Sequence, residues 1–325
     1  MIILLLCWTF TIQQDVEWLE YFAGTGNLTR VMTAAQYKSF RFDILDNNRP
    51  ANRRSNFMDL TEASGFALAT LWLLRAVEDN FALHLGLKCS SFSKMNVGTS
   101  SRSACTSIGW EKFASVLIGN CLLERSCLLI LLATALGGCW SLEQPGGALT
   151  EFYPTFRHTI QSIFQNGGPT AVQCVRWWMG HYNSSTPKRH YAYSNSTSVL
   201  KIDKGVLQGW KRKGKKKVTT AERYVDASGR KRYKGTSKLR GTEVYPMPFA
   251  REFCDLVEEL KSNVQGKPQL PDPIPSALET FHHGFELANP ELYRQVNLAS
   301  VYNYLRRSKQ LRIPHDWLPF MPEQL

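Results

Sequence analysis

The residues best suited to chemistry in this chain fall in four short stretches. The first is Glu20-Tyr-Phe-Ala-Gly-Thr-Gly-Asn-Leu-Thr29. An apolar run over 16–22 ends in Gly24-Thr25-Gly26, and 27–35 reads as a helix. Such a strand, turn and helix start lets backbone come close to a ligand and offers it unpaired N–H groups. A Gly-x-Gly pair is equally the mark of a bare tight turn. Asp43, closing a second strand-like run over 39–44, supplies the acidic side chain that holds ribose hydroxyls in nucleotide-binding sheets. The second stretch, 81–96, is a strand followed by a small polar loop that carries Cys89. A cysteine just beyond a buried strand can be an attacking thiolate, or merely a small buried hydrophobe. The neighbouring Lys88 would lower its pKa if the two were close. The third stretch, Cys139-Trp-Ser-Leu-Glu-Gln-Pro-Gly146, ends a strand at Glu143, which could act as an acid, a helix cap or an ion-pair partner. The fourth, Thr186-Pro-Lys-Arg-His190, brings two cations, Lys188 and Arg189.

These stretches need a frame to bring them together. Strand-like runs over 16–22, 39–44, 55–58, 81–87, 139–143 and 171–178 alternate with helical patterns over 28–35, 62–77, 110–136 and 153–164. The alternation predicts an α/β fold, a Rossmann-like sheet that is mostly parallel with helices on both faces. Ligands in such sheets gather beyond the C-terminal strand ends, which is where Gly24, Asp43, Asp59, Cys89 and Glu143 fall. The segment 127–136, apolar nearly all round, predicts a buried core helix. The expected division is a core over 1–200, a basic insertion over 201–243 and a return to the core over 244–264, helical in its second half. A Pro-rich linker and C-terminal helical extension follow over 265–325.

Charge is concentrated in one place. The chain has 39 Lys/Arg and 27 Asp/Glu, a net charge of +12. Fifteen of the basic and three of the acidic residues lie in 201–240, leaving 24 of each elsewhere. Lys211, Arg212, Lys213, Lys215, Lys216 and Lys217 form its densest run, with Trp210, Tyr224 and Tyr233 interleaved. Such a run binds phosphates without reading sequence, and can also be a nuclear-import patch or a solvated loop. Eight cysteines without a Cys-x-x-Cys pair or regular framework fit free thiols in a reducing compartment, with no metal site. The three Asn-x-Ser/Thr matches, at Asn27, Asn183 and Asn195, read as chance. No apolar run is read as reaching the roughly 18 residues a membrane helix needs. The apolar start over 1–10 lacks a basic leader region and reads as a buried extension or an imperfect gene start.

Taken together, the motifs resemble the DNA cytosine-5 methyltransferase family, in a divergent form, within the class I S-adenosylmethionine-dependent superfamily. Glu20-Tyr-Phe-Ala-Gly-Thr-Gly26 is similar to the family's Asp-Leu-Phe-x-Gly-x-Gly, and lacks the third glycine of the dinucleotide fingerprint, Thr29 standing in its place. Leu87-Lys-Cys-Ser-Ser-Phe-Ser93 is similar to its Pro-Cys-x-x-Phe-Ser loop, and Leu142-Glu-Gln-Pro145 to its Glu-Asn-Val/Pro element. Thr186-Pro-Lys-Arg-His190 resembles the basic motif before its target-recognition region. The likeness covers roughly residues 16 to 200 and returns over 244–260.

The resemblance implies S-adenosylmethionine as cofactor, held by Glu20, Phe22, Gly24, Gly26, Asn27, Leu28, Asp43, Ile44, Asp59 and Leu60. It implies Cys89 as nucleophile towards cytosine carbon-6 and Glu143 as acid partner, with Arg189 or Lys188 steadying the loop or backbone. Ser91, Ser93, Lys188 and the 211–217 run would contact nucleic acid, DNA before RNA. A monomer without membrane or metal partners, intracellular and favouring the nucleus, is expected. Lys88 stands where the family has proline, Gln144 where it has asparagine, and the recognition region shrinks to about forty residues with little sign of a folded domain. These departures leave room for a nucleic-acid-binding relative without turnover, or for an RNA methyltransferase.

Overall fold

Period-two alternation builds the centre of the sheet, because successive strand side chains face opposite sides. In the strand β1, Trp18–Tyr21, Leu19 and Tyr21 face one hydrophobic core while Trp18 faces the other. The computed structural model of the protein describes residues 12–47, 57–209 and 218–266. All of them lie in the first of two compact units, Met1–Pro268. Along the chain, β1 is followed by α1 (Asn27–Ala34), β2 (Ser39–Phe42), α2 (Ala63–Leu74) and β3 (Ala82–Leu85). Next come the short α3 (Val97–Ser100), the long α4 (Ala114–Ala135), β4 (Cys139–Pro145), α5 (Pro154–Gly167), β5 (Gln173–Trp178) and β6 (Arg189–Ser194). A hairpin of β7 (Ala221–Val225) and β8 (Lys231–Gly235) precedes α6 (Ser237–Arg240) and α7 (Met247–Ser262).

The main sheet runs β2-β1-β3-β4-β6-β5, parallel from β2 to β4. β6 then pairs antiparallel with both β4 and β5. α2, α4 and α5 cover one face, packing Ala69, Leu73, Leu123, Ile130 and Phe156 on Leu83, Leu85, Trp140 and Leu142. α1 and α7 cover the other, bringing Leu28, Met32, Phe249, Phe253 and Val257 against Trp18, Val175 and Trp177. This is the mixed α/β architecture the alternation predicts.

Several elements differ from the sequence reading. β6 was not expected, its first two residues having been read as part of a basic motif. No strand forms at 57–58, which are in a turn, and 55–56 lie outside the described residues. α7 is helical from Met247, not only in the second half of its segment. In 127–136, Leu128 and Leu131 are exposed, so that helix is buried on one side only. α4 is in fact long and apolar enough, by length and composition, to cross a membrane, despite Glu124 and Arg125. Its inner residues Leu122, Leu123, Leu129, Ile130 and Ala133 are spent on the core of the sheet. The insertion holds a two-stranded hairpin where no folded piece was expected, while 1–10, 211–217 and the linker and extension over 267–325 lie outside the described residues.

Leu83 sits fully buried in the central strand β3. Leu83→Ala is expected to cost about 3 kcal/mol, since the removed atoms leave a cavity that the surrounding strands cannot close. Urea unfolding checks this as a lower midpoint at an unchanged slope.

Candidate active site

The glycine turn after β1 is built by backbone that few residues adopt. Gly24 and Gly26 have φ of 55° and 66°, and Phe22 has a φ of 59°. That left-handed conformation is strained for a bulky side chain and is held by tertiary bonds. Phe22 N–H donates to Phe42 O at 2.8 Å, tying the turn to the end of β2. Asp43 completes the tie: one carboxylate oxygen accepts from Gly24 N–H at 2.8 Å and the other from Leu45 N–H at 2.9 Å. Each oxygen keeps a second lone pair, so the carboxylate can still take hydroxyl donors such as those of a ribose.

Gly26 is the N-cap of α1 and has no side chain to cap it. Glu20 does so from inside the sheet, one oxygen accepting from both Thr29 N–H, at 2.7 Å, and the Thr29 hydroxyl. A carboxylate there complements the positive end of the helix. Burial nevertheless dominates, and pushes the Glu20 pKa up to about 7 against the lowering effect of the Thr29 bonds. Its other oxygen, Oε1, is buried and has no partner among the described residues. An unpaired acceptor beside a left-handed glycine turn fits a ligand that brings a donor, such as an ammonium group.

The other expected cofactor contacts divide. Leu28 is fully buried in the core and can offer a ligand only its backbone. Asn27 turns its side chain to Tyr245 O at 2.8 Å. Ile44 is about half exposed beyond β2. Asp59 accepts from Thr61 N–H and the Thr61 hydroxyl at 2.8 and 2.7 Å, forming the turn into α2. Leu60 is buried, its carbonyl accepting from Arg125 at 2.6 Å.

Cys89 lies in the loop after β3, half-buried, its carbonyl accepting from Phe92 and Ser93 N–H at 3.0 and 2.9 Å. Burial pushes its thiol up; the Lys188 ammonium opposes this, and Glu143 and Glu243 reinforce it. The cation acting on Cys89 is therefore Lys188, not the exposed Lys88 beside it in sequence. Gln144 is fully buried and donates to Leu87 O at 2.6 Å, pinning the start of the loop to β4. Arg102, also fully buried, stacks its guanidinium 3.9 Å over the Phe92 ring and donates to Ser91 Oγ and Asn120 Oδ1 at 3.0 and 2.8 Å. Ser91 is thus turned inward as part of the loop's support and is not on a face that nucleic acid can touch. Ser93 stays half-buried, its hydroxyl accepting from Met95 N–H at 3.3 Å.

Glu143, near the end of β4, is buried with both oxygens engaged. Oε1 accepts from His190 Nδ1, and Oε2 accepts from the Tyr245 hydroxyl at 2.8 Å. Burial opposes ionisation, but His190, Lys188 and Tyr245 outweigh it and hold the carboxyl below its ordinary range. Behind Tyr245, His84 Nε2 lies 3.0 Å from the Tyr245 hydroxyl and His84 Nδ1 lies 2.8 Å from Ser141 Oγ. Burial depresses the His84 pKa to about 4.

The structure thus gathers Asp43, the glycine turn, the Cys89 loop and Glu143 at one edge of the sheet, with the Lys188 charge acting on both Cys89 and Glu143. Arg189 does not join them. It is exposed, with its guanidinium 5.5 Å from the Trp178 ring, and strand alternation gives the inward place to His190. Sequence reasoning missed His84, His190 and Tyr245. His190 stood in the quoted motif, where the paired cations drew the attention instead. Among the described residues a cavity of about 750 Å³ lies elsewhere, beside α5 and β6, lined by Phe156, Arg157, Ile160, Phe164 and Tyr193. It holds none of the candidate residues.

No family model matches this chain, and no curated protein matches it. Among solved structures it is similar to the crystal structure of the S. pombe Dnmt2 methyltransferase, at 11% identity and a TM-score of 0.32. The match covers 55% of this chain and 49% of that one, so the chain spans about half the length of that structure.

The Glu20 carboxyl generates a pH-dependent stability. Its folded pKa of about 7 lies above the unfolded value near 4.5, so the folded protein binds the extra proton between these limits. Stability is then fully present below about pH 4.5 and falls by roughly 3 kcal/mol as pH rises through 7. Glu20→Gln keeps an oxygen for Thr29 and is expected to flatten that slope, leaving the variant the more stable protein at pH 8. Chemical denaturation at pH 4.5, 6 and 8 reads it directly.

Proposed function

We propose that this protein is an S-adenosylmethionine-dependent methyltransferase acting on carbon-5 of cytosine in nucleic acid, DNA before RNA. One observation carries the reading. Asp43, the Gly24–Gly26 turn, the Cys89 loop and Glu143 stand at the C-terminal ends of β2, β1, β3 and β4, four neighbouring parallel strands. That edge is where an open α/β sheet binds its ligands.

The residues present fit the cofactor. Asp43 has lone pairs left for ribose hydroxyls, and the unpaired Oε1 of Glu20 suits the amino group of the methionine part. When bound, S-adenosylmethionine supplies an electrophilic methyl group. Cytosine carbon-5 is too electron-poor to attack one unaided, and a stacked base is out of reach, so the base must leave the stack and be activated. Cys89 performs the activation by adding its sulfur to carbon-6. Its thiol is protonated at rest because burial raises it, and Lys188 is the cation that favours the thiolate. Glu143, held ionised, keeps a lone pair on each oxygen beyond those used by His190 and Tyr245. In this reading those lone pairs take up the proton released as the thiol adds, and Glu143 hands it to the ring nitrogen.

Nucleic acid as partner is supported by charge. The β7–β8 hairpin exposes Arg223, Lys231 and Lys234 together with Tyr224 and Tyr233, a surface suited to phosphates. We place the protein inside the cell, in the nucleus first. A second reading, a nucleic-acid-binding relative without turnover, draws on the Cys89 thiol, which burial, Glu143 and Glu243 all push away from the reactive form.

Calorimetry is expected to show S-adenosylmethionine binding that weakens at least about tenfold in Asp43→Ala and in Gly24→Val. At Gly24 an added Cβ meets nothing within 4 Å, while its φ of 55° strains any L side chain placed there. A folded wild type that binds none refutes the cofactor assignment. An oligonucleotide carrying 5-fluorocytosine is expected to form a covalent complex with the wild type and none with Cys89→Ser. Binding without trapping would select the second reading, and a complex formed on RNA but not on DNA would reverse the substrate order.

A further inference from the structure

Tyr245 lies far from every motif in sequence and at the centre of the site in space. We propose that Tyr245 is a positioning residue that holds the Glu143 carboxylate and fastens it to the start of the helix after the glycine turn. This rests on the reading of Glu143 as the acid partner.

Two independent bonds make the connection. The Tyr245 hydroxyl donates to Glu143 Oε2 at 2.8 Å, and the Tyr245 carbonyl accepts from the side chain of Asn27, the first residue of α1, at 2.8 Å. The ring is braced by His84 and Phe249, with centroids 5.5 and 5.3 Å away. Gly86, at the head of the Cys89 loop, makes the room: a Cβ there would come within 3.0 Å of the Tyr245 hydroxyl.

The direction of every proton in the chain follows from one fact. An ionised carboxylate only accepts, so Tyr245 gives its single proton to Glu143. Its oxygen must then accept from His84 Nε2–H, which fixes that tautomer. His84 Nδ1 in turn accepts from the Ser141 hydroxyl. Neutral His84 is what burial enforces. A chain with one polarity aims the carboxylate, whereas a chain free to reverse would not. Two lone pairs of Glu143 stay open for a base, so the clamp orients the group without using it up.

Tyr245→Phe tests this, because it keeps the ring and the carbonyl and removes only the hydroxyl. With selectively ¹³C-labelled glutamate, the Glu143 carboxyl is expected to titrate about one pH unit higher in the variant, the size of one hydrogen bond to a charged group. Ser141→Ala, at the far end of the chain, should move it the same way by less, and serves if Tyr245→Phe does not fold. S-adenosylmethionine affinity should stay within about twofold. In methyl transfer, kcat should fall about tenfold with KM unchanged, and the acid limb of the pH profile should move up with the Glu143 titration. An unmoved Glu143 titration in both variants overturns the proposal. A moved titration in a protein that transfers no methyl group supports the clamp and removes the methyltransferase reading instead.

Discussion

A carboxylate buried at the end of a central strand has to be surrounded by donors, and much of this structure follows from meeting that condition for Glu143. Water is largely excluded there, so each oxygen needs a protein partner or the group would take up a proton. The donors come from opposite directions. His190 arrives on β6, which runs antiparallel to β4 and places His190 opposite Pro145, diagonal to Glu143. Tyr245 arrives from beyond the basic insertion, 102 residues away in sequence. Neither could reach Glu143 unless the sheet reversed direction after β4 and the chain returned to its edge after the insertion. The antiparallel end of an otherwise parallel sheet and the return through α7 are therefore both needed by one side chain.

Glu20 shows the same condition met differently. It is as deeply buried as Glu143, but among the described residues it is hydrogen-bonded only to Thr29, a neutral residue, and the Arg41 charge lowers it less than burial raises it. Burial wins, and the carboxyl rises to about 7 where Glu143 sinks below its ordinary range. Two carboxylates on neighbouring parts of one sheet edge are thus separated by their surroundings into one that keeps its charge and one poised near neutrality. Groups split in this way are found where chemistry is done, although capping a helix would by itself be reason enough for Glu20.

What could be read from the sequence was local. The glycine turn was legible because left-handed backbone restricts residue type at the position itself, and Asp43 because a strand end followed by a turn is a local pattern. The parallel half of the sheet followed from alternation. Beyond β4 the reading failed where tertiary partners decide. Arg189-His-Tyr-Ala-Tyr-Ser194 is buried on both faces of the sheet and shows no period-two pattern, and its first two residues resembled part of a basic motif. Arg189 was favoured over His190 because charge suggests chemistry, while the pleat alone decides which of two adjacent residues faces inward. Gln144 looked like a departure from a pattern, and nothing singled out Arg102; both are buried struts of the Cys89 loop, bonded to residues up to 57 positions away. Tyr245 had no local signature at all.

The insertion is attached to the site more closely than its composition suggests. Lys188, the cation that acts on both Cys89 and Glu143, donates to Thr242 O at 3.2 Å. Three residues on, Tyr245 bonds Glu143 through its hydroxyl and Asn27 through its carbonyl. The stretch from Thr242 to Tyr245 leaves the β7–β8 hairpin and α6 at one end and enters α7 at the other. Its residues bear on the charge around Cys89, the orientation of the Glu143 carboxylate and the start of α1 together. This stretch is the covalent link between the hairpin and α7, and its bonds tie that link to Lys188, Glu143 and Asn27. The basic hairpin, placed shortly before Tyr245, and the surroundings of Glu143 are thus parts of one bonded unit.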